Sequence, residues 1–199
     1  MPRHATLSRK TGETEITVEL NLDGSGQHDI STGIGFFDHM LTLLAVHGLF
    51  DLKVKANGDL HVDAHHTVED TGIVLGAAFL QALGDRQGLV RIATSHVPLD
   101  EALARTVVDL SGRGYLHLEA NFSSAQVGDF PAELVEDFLY AFVNNAKATM
   151  HVTLLAGRNT HHQIEVIFKS LARALREAAA IDPRQTGIPS SKGVLVSSL

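Results

Sequence analysis

Cysteine is absent from the 199 residues, and so is tryptophan. Without a thiol the chain forms no disulfide, offers no thiolate nucleophile and builds no sulfur-ligated zinc or iron centre. Any metal it holds must therefore be bound by imidazole and carboxylate. No apolar run reaches the roughly 18 residues needed to cross a bilayer, and the opening segment MPRHATLSRKTGETE lacks the apolar core of a secretory signal. A cytoplasmic protein with no membrane partner is expected. Positive charge is also in deficit: 16 Lys+Arg face 23 Asp+Glu, for a formal net charge of −7. That balance argues against nucleic acid, which calls for a basic footprint, but a small anion needs only a local cluster of Arg and Lys.

What the chain has in quantity is histidine, 12 residues in all. Four of them form two adjacent pairs, each followed three residues later by a glutamate: His65, His66 and Glu69 in DAHHTVED, then His161, His162 and Glu165 in NTHHQIEV. Each member of the second set stands 96 residues after its counterpart. Chance rarely repeats a metal-ligand pattern half a chain apart, so the motifs read as two halves of one metal site in an internally duplicated fold.

The segments around them support duplication. TEITVELNL (14–22) alternates with Ile16, Val18, Leu20 and Leu22 on one face, the pattern of a half-buried strand. Asp23-Gly24 then predicts a hairpin turn, and residues 29–35 read as a loop. FFDHMLTLLAVHG has the helical recurrence Phe37, Met40, Leu41, Leu44 and closes on Gly48. A strand or hairpin is expected over 49–62, with Asn57-Gly58 as its turn. A helix follows from the first histidine pair to about Leu83, where Gly72 and Gly76 allow close approach to a neighbouring surface. Residues 90–118 read as strands broken at Gly112-Arg113-Gly114, and 123–131 as a loop ending at Pro131. The order then recurs: helix 133–146, strand TMHVTLLAG, and a helix from the second pair to about residue 180. The expected architecture is α+β, with two sheet-plus-helix halves packed in layers. It forms a single catalytic domain of two pseudo-repeats (about 10–95 and 96–185) and a C-terminal tail, 186–199.

If each histidine pair opens a helix, His65 and Glu69 (i, i+4) share a face, as do His66 and Glu69 (i, i+3). Adjacent residues diverge by about 100°, so the two members of a pair cannot easily grip one ion. They serve two ions, or one ion here and one in a neighbouring subunit. Aligning DHML with EDFL makes His39 correspond to about Asp137, which adds one ligand from each half. Four protein ligands leave open positions on an octahedral ion, as catalysis requires, and mixed nitrogen and carboxylate ligation points to manganese, with iron, zinc or cobalt as alternatives. His47, His61, His96 and His117 lack the repeat relation and read as structural, and His151 is a weaker metal candidate.

Seven blocks carry a resemblance that spans nearly the whole chain: GIGFFDHML (33–41), HVDAHHTVEDTGI (61–73), PLDEAL (98–103), DLSGRGYL (109–116), GRNTHHQIE (157–165), FKSLARAL (168–175) and IPSSKGVL (188–195). Together they closely resemble imidazoleglycerol-phosphate dehydratase of histidine biosynthesis. The resemblance implies a duplicated fold like domain 2 of ribosomal protein S5, and a homo-oligomer of 24 subunits with active sites between them and two Mn2+ in each. It implies metal ligation by His39, His65, His66, Glu69, His161, His162 and Glu165. Asp137 stands where many family members have histidine. The resemblance further implies that Glu13, Arg91, Arg113, Lys169, Ser190, Ser191 and Lys192 contact a small phosphorylated imidazole. The implied reaction is metal-dependent removal of water from imidazoleglycerol phosphate to give imidazole acetol phosphate. It needs an electron sink, which metal-bound imidazolate would supply, and a carboxylate to move the carbon-bound proton: Glu13, with Glu69 or Glu165 as alternates. Two rivals remain, a two-metal hydrolase on the same ligands and a metal-storage shell without turnover. A phosphate cradle of Arg and Lys argues against storage.

Overall fold

The computed structural model describes residues 3–195; residues 196–199 of the expected tail lie outside the described residues. The first unit comprises β1 (His4–Lys10), β2 (Thr14–Asn21), β3 (His28–Ser31), α1 (Gly35–Gly48), β4 (Asp51–Gly58) and α2 (His65–Ala82). The second comprises β5 (Ile92–Leu99), β6 (Ala102–Asp109), β7 (Tyr115–Glu119), a two-residue pair β8 (Gln126–Val127) and β9 (Phe130–Pro131), α3 (Leu134–Ala146), β10 (Thr149–Ala156) and α4 (Thr160–Ala178). The two sheets have the same order, β1-β2-β4-β3 and β5-β6-β10-β7. In each, the last-named strand pairs in parallel with its neighbour and the others are antiparallel. The expected α+β duplication is therefore present in the two four-stranded sheets, and the β8–β9 pair has no counterpart in the first unit.

Three local expectations change. Asp23-Gly24 does not close a hairpin, because β2 is followed by a crossover: β3, α1 and β4 place β4 between β2 and β3. The Asp51 carboxylate instead ties down that connection, accepting the backbone N–H of Ser25 at 2.8 Å and of Gln27 at 3.1 Å. Residues 28–31, within and beside the expected loop, form the short edge strand β3. Asn57-Gly58 lies at the end of β4, paired with Glu15 and Thr14, rather than in a turn. A Cβ on Gly58 would come within 2.1 Å of Thr67 Oγ1, so glycine there lets α2 approach the strand end.

Strand faces follow the alternation: Thr14, Ile16, Val18 and Leu20 of β2 are buried, and the residues between them are not. The helices of each sheet's crossover exchange partners across the molecule. α1 packs on α4 of the other unit, and α3 packs on α2, while α2 also covers β1 and β2 and α4 covers β5 and β6. Gly72 and Gly76 make the α2–α3 crossing close. A Cβ at Gly76 would lie 2.4 Å from the Phe142 carbonyl oxygen, and one at Gly72 2.8 Å from that of Phe138. Buried phenylalanines knit the units together, Phe37 edge-on to Phe138 at 5.3 Å and Phe138 stacked on Phe168 at 5.4 Å. Among the described residues no helix is long and apolar enough to cross a membrane.

Candidate metal centre

The helix exchange decides which donors meet. Both histidine pairs open a helix, at His65 in α2 and at Thr160 in α4. The start of α4 is capped by the Asn159 side chain, which accepts from the backbone N–H of His161 and His162. Because α1 lies on α4, His39 converges with His161 and Glu165: one donor atom from each lies within 4.8 Å of the others. His161 Nε2 is 3.3 Å and His39 Nε2 4.0 Å from Glu165 Oε2. Because α3 lies on α2, Asp137 also reaches the first pair, but at the other nitrogen of His65 from the one that faces Glu69. Its Oδ2 is 3.5 Å from His65 Nδ1, and Glu69 Oε2 is 4.0 Å from His65 Nε2. Each set thus takes two donors from one unit and one from the other.

The two sets differ in depth and charge. Glu165 is 13 % exposed and Glu69 44 %. Burial alone would raise the Glu165 carboxyl, but the hydrogen bond and charge of Lys169, with smaller contributions from His39 and His161, carry it below its ordinary value. Lys169 stands one helical turn after Glu165 and is joined to it directly. Phe36 packs edge-on to His161 at 5.1 Å. With Gly128, Asp129 and Phe130 of the β8–β9 turn, it walls a cleft of about 680 Å³ that opens on His39 and His161.

The rings of each pair stand nearly perpendicular, with planes at 82° for His65 and His66 and 86° for His161 and His162, and the second histidine of each has carboxylate partners of its own. His66 Nδ1 donates to Asp59 Oδ2 at 3.0 Å, and His162 Nδ1 to Glu101 Oε2 at 2.9 Å. These hydrogen bonds raise the pKa of both imidazoles. The bond from His162, with the backbone N–H of Asn159, holds Glu101 down at about 2. Asp59 and Glu101 were not among the residues expected from the sequence. For Glu101 the one available signal was the duplication, since Glu13 and Glu101 each stand immediately before the second strand of a unit's first hairpin; Asp59 has no such counterpart.

Glu13 is exposed in the β1–β2 turn, its Oε1 4.0 Å from His66 Nε2. Buried Asp70, one residue after Glu69, accepts from the Thr14 hydroxyl and pairs with Arg9, which fastens that turn to α2. The other expected substrate contacts gather elsewhere. Arg91, Arg113, Ser190, Ser191 and Lys192 line one cleft of about 360 Å³. The Arg91 guanidinium is largely engaged, donating to both oxygens of Asp109 at 2.7 and 3.0 Å and to the Pro189 carbonyl at 2.7 Å. Lys169 is not part of this cleft. His151, the weaker metal candidate, lies exposed beside His117, with ring centroids 5.2 Å apart.

Imidazole and carboxylate donors without sulfur suit a divalent cation such as manganese, and among the described residues His39, His161 and Glu165 are the group whose donor atoms all come within 4.8 Å of one another. Comparison with known proteins adds an independent finding. Residues 32–175 match the family model of imidazoleglycerol-phosphate dehydratase. The chain is 60 % identical over 193 residues to the imidazoleglycerol-phosphate dehydratase of Thermoanaerobacter pseudethanolicus, covering 97 % of this chain and 100 % of that relative. It is 57 % identical over 194 residues to the one of Gluconacetobacter diazotrophicus, covering 97 % and 98 %. The crystal structure of the enzyme of that name from Staphylococcus aureus superposes with a TM-score of 0.82 at 42 % identity, covering 90 % of this chain and 99 % of the other. The one from Pyrococcus furiosus gives 0.83 at 33 % identity, covering 95 % and 100 %.

Proposed function

The chain belongs to the imidazoleglycerol-phosphate dehydratase family, and on that premise we propose how its own residues divide the work. It is a hydro-lyase of histidine biosynthesis, removing water from imidazoleglycerol phosphate to give imidazole acetol phosphate. We infer two divalent cations per active site, manganese in both. One would be held by His39, His161 and Glu165, and the other would draw on His65, Glu69 and Asp137, with His66 and His162 completing sites on another copy of the chain. The observation that carries this reading is the convergence of His39, His161 and Glu165 in a chain without sulfur donors, with His65 between Glu69 and Asp137 at the related place of the other unit. A divalent cation bound there supplies Lewis-acid polarisation and stabilises developing negative charge.

The protein groups then have distinct tasks. Lys169 keeps Glu165 ionised, which makes it a ligand and a poor base. Glu13 lies outside both converging sets and takes part as the acid/base group for the proton on the carbon beside the imidazole ring, with Glu69 the alternate. Arg113, Ser190, Ser191 and Lys192 hold the phosphate through charge-assisted hydrogen bonds, and Arg91 braces their segment through Pro189. Phe36 and the β8–β9 turn limit water in the cleft beside His39. The assembly we propose is a cytoplasmic homo-oligomer of 24 copies. His66 and His162, which belong to neither in-chain set, would supply ligands to active sites between subunits.

The test is dehydratase turnover, read as imidazole acetol phosphate, on chelator-stripped and manganese-reloaded protein beside Glu13→Gln. Stripping should abolish turnover and reloading restore it. Glu13→Gln should lose about 10²- to 10⁴-fold in kcat while binding the same amount of manganese. Full turnover in stripped protein would sink the metal reading, and full turnover in Glu13→Gln would remove Glu13 from proton transfer.

A further inference from the structure

One contact is built twice, by two different routes. His66 and His162 each direct Nδ1 to a carboxylate, at 3.0 and 2.9 Å. Asp59 comes from the connection between β4 and α2, seven residues before its histidine. Glu101 comes from the β5–β6 hairpin, 61 residues before its own. Asp59 is the C-terminal neighbour of β4, and its backbone N–H donates to the Glu13 carbonyl at 3.1 Å. Glu101 Oε1 accepts the backbone N–H groups of Arg158 at 3.3 Å and Asn159 at 3.0 Å, just ahead of α4. The Glu101 carboxylate is thus braced by backbone just ahead of α4, whereas Asp59 is fixed through its own backbone N–H at the end of β4.

The chemistry of the contact is the same in both units. An ionised carboxylate only accepts, so the hydrogen must sit on Nδ1, and neutral imidazole then presents Nε2 with its lone pair free. Among the described residues neither Nε2 has a hydrogen-bond partner. A carboxylate on the distal nitrogen of a ligating histidine fixes tautomer and ring orientation and makes the ligand more basic. We propose that Asp59 and Glu101 are positioning residues for metal ligation, holding His66 and His162 by Nδ1 so that each Nε2 is presented to a cation shared with another copy of the chain. This rests on the metal reading given above. It predicts that these histidines are aimed before any cation or second copy arrives.

The experiment compares Asp59→Ala, Asp59→Asn, Glu101→Ala and Glu101→Gln with the unaltered chain in three measurements. These are Mn2+ affinity by calorimetry, the mass of the particle by light scattering with and without Mn2+, and the melting temperature of chelator-stripped protein. Each alanine variant should lose about 10- to 100-fold in Mn2+ affinity and assemble only at correspondingly higher Mn2+. The asparagine and glutamine variants should recover most of that loss, because an amide oxygen still accepts from Nδ1. The stripped melting temperature should follow neither change. Alanine variants that bind Mn2+ like the unaltered chain overturn the proposal. So does an affinity loss matched by a fall in stripped melting temperature and not rescued by the amides, which makes the carboxylates merely structural. Failure of the unaltered chain to bind Mn2+ overturns the metal reading itself, and the two failures are distinguishable.

Discussion

In the second unit, Glu165 is bonded to Lys169 one turn further along α4 and faces His39 and His161; in the first, Glu69 has Ile73 at that place and meets Nε2 of His65, whose Nδ1 faces Asp137. With neutral histidines, the second set carries no net charge once Lys169 is counted, whereas the first carries two negative charges. The same fold, copied, therefore offers one set that relies on nitrogen donors and another that relies on charge. The difference teaches that duplication fixes where donors stand, through the exchange of α1 and α3 between units, but leaves free what they are.

The strongest way to break the comparison is to remove one histidine from each side. If both sets hold a catalytic cation, His65→Ala and His161→Ala should each lower kcat/KM by several kcal/mol, on the order of 10³-fold, measured with saturating Mn2+. A tenfold or smaller loss in either variant would mean that the two units do not contribute equally, and that one set is accessory.

The helix crossings differ as well. On α2, Gly76 lets the Phe142 backbone come close; at the corresponding register of α4 stands buried Ala172. A methyl at Gly76 would meet a carbonyl oxygen at 2.4 Å and the Ala146 nitrogen at 3.0 Å, backbone atoms that cannot swing aside. Gly76→Ala should therefore destabilise by about 2 kcal/mol in denaturant unfolding, even though alanine is the better helix former by roughly 1 kcal/mol. Ala172→Gly should cost about 1 kcal/mol in the opposite chemical direction. A stabilised Gly76→Ala would mean that the α2–α3 crossing has slack the structure denies.

Periodic features were legible from the residues: the four helices, the inward face of β2, and the glycines that admit a neighbour on α2. Non-local ones were not. β1 puts Ala5, Leu7 and Arg9 inward, two apolar residues and a cation, and is an edge strand, so its alternation is faint. β3 has four residues, and its partner is β4, reached only through α1. Asn57-Gly58 has the composition of a turn, and only the ladder between β2 and β4 shows that it ends a strand. The His39–Asp137 correspondence was readable because two helices of similar pattern could be aligned, and the structure puts each beside the other unit's histidine helix. Asp59 and Glu101 were hidden for a different reason. Their role depends on a side-chain contact made after folding, and nothing in local pattern distinguishes an acidic residue that meets an imidazole from one that meets water.

The subtlest test acts on the one donor that separates the sets. Asp137→His would replace an oxygen donor by nitrogen and reduce the first set from two negative charges to one, giving it the donor types of the second. Hard, oxygen-preferring Mg2+ and Mn2+ gain from carboxylate charge, while Zn2+ gains from imidazole. Competition calorimetry on stripped protein should therefore find two affinity classes for Zn2+ relative to Mn2+ in the unaltered chain. In Asp137→His the first-unit class should shift toward Zn2+ by about tenfold, the equivalent of about 1.4 kcal/mol, and approach the second. His39→Asp makes the converse change on the other side and should shift preference toward Mn2+. An unchanged ratio in both variants would mean that these positions lie beside the cations without ligating them, and the contrast between the units would then rest on Lys169 alone.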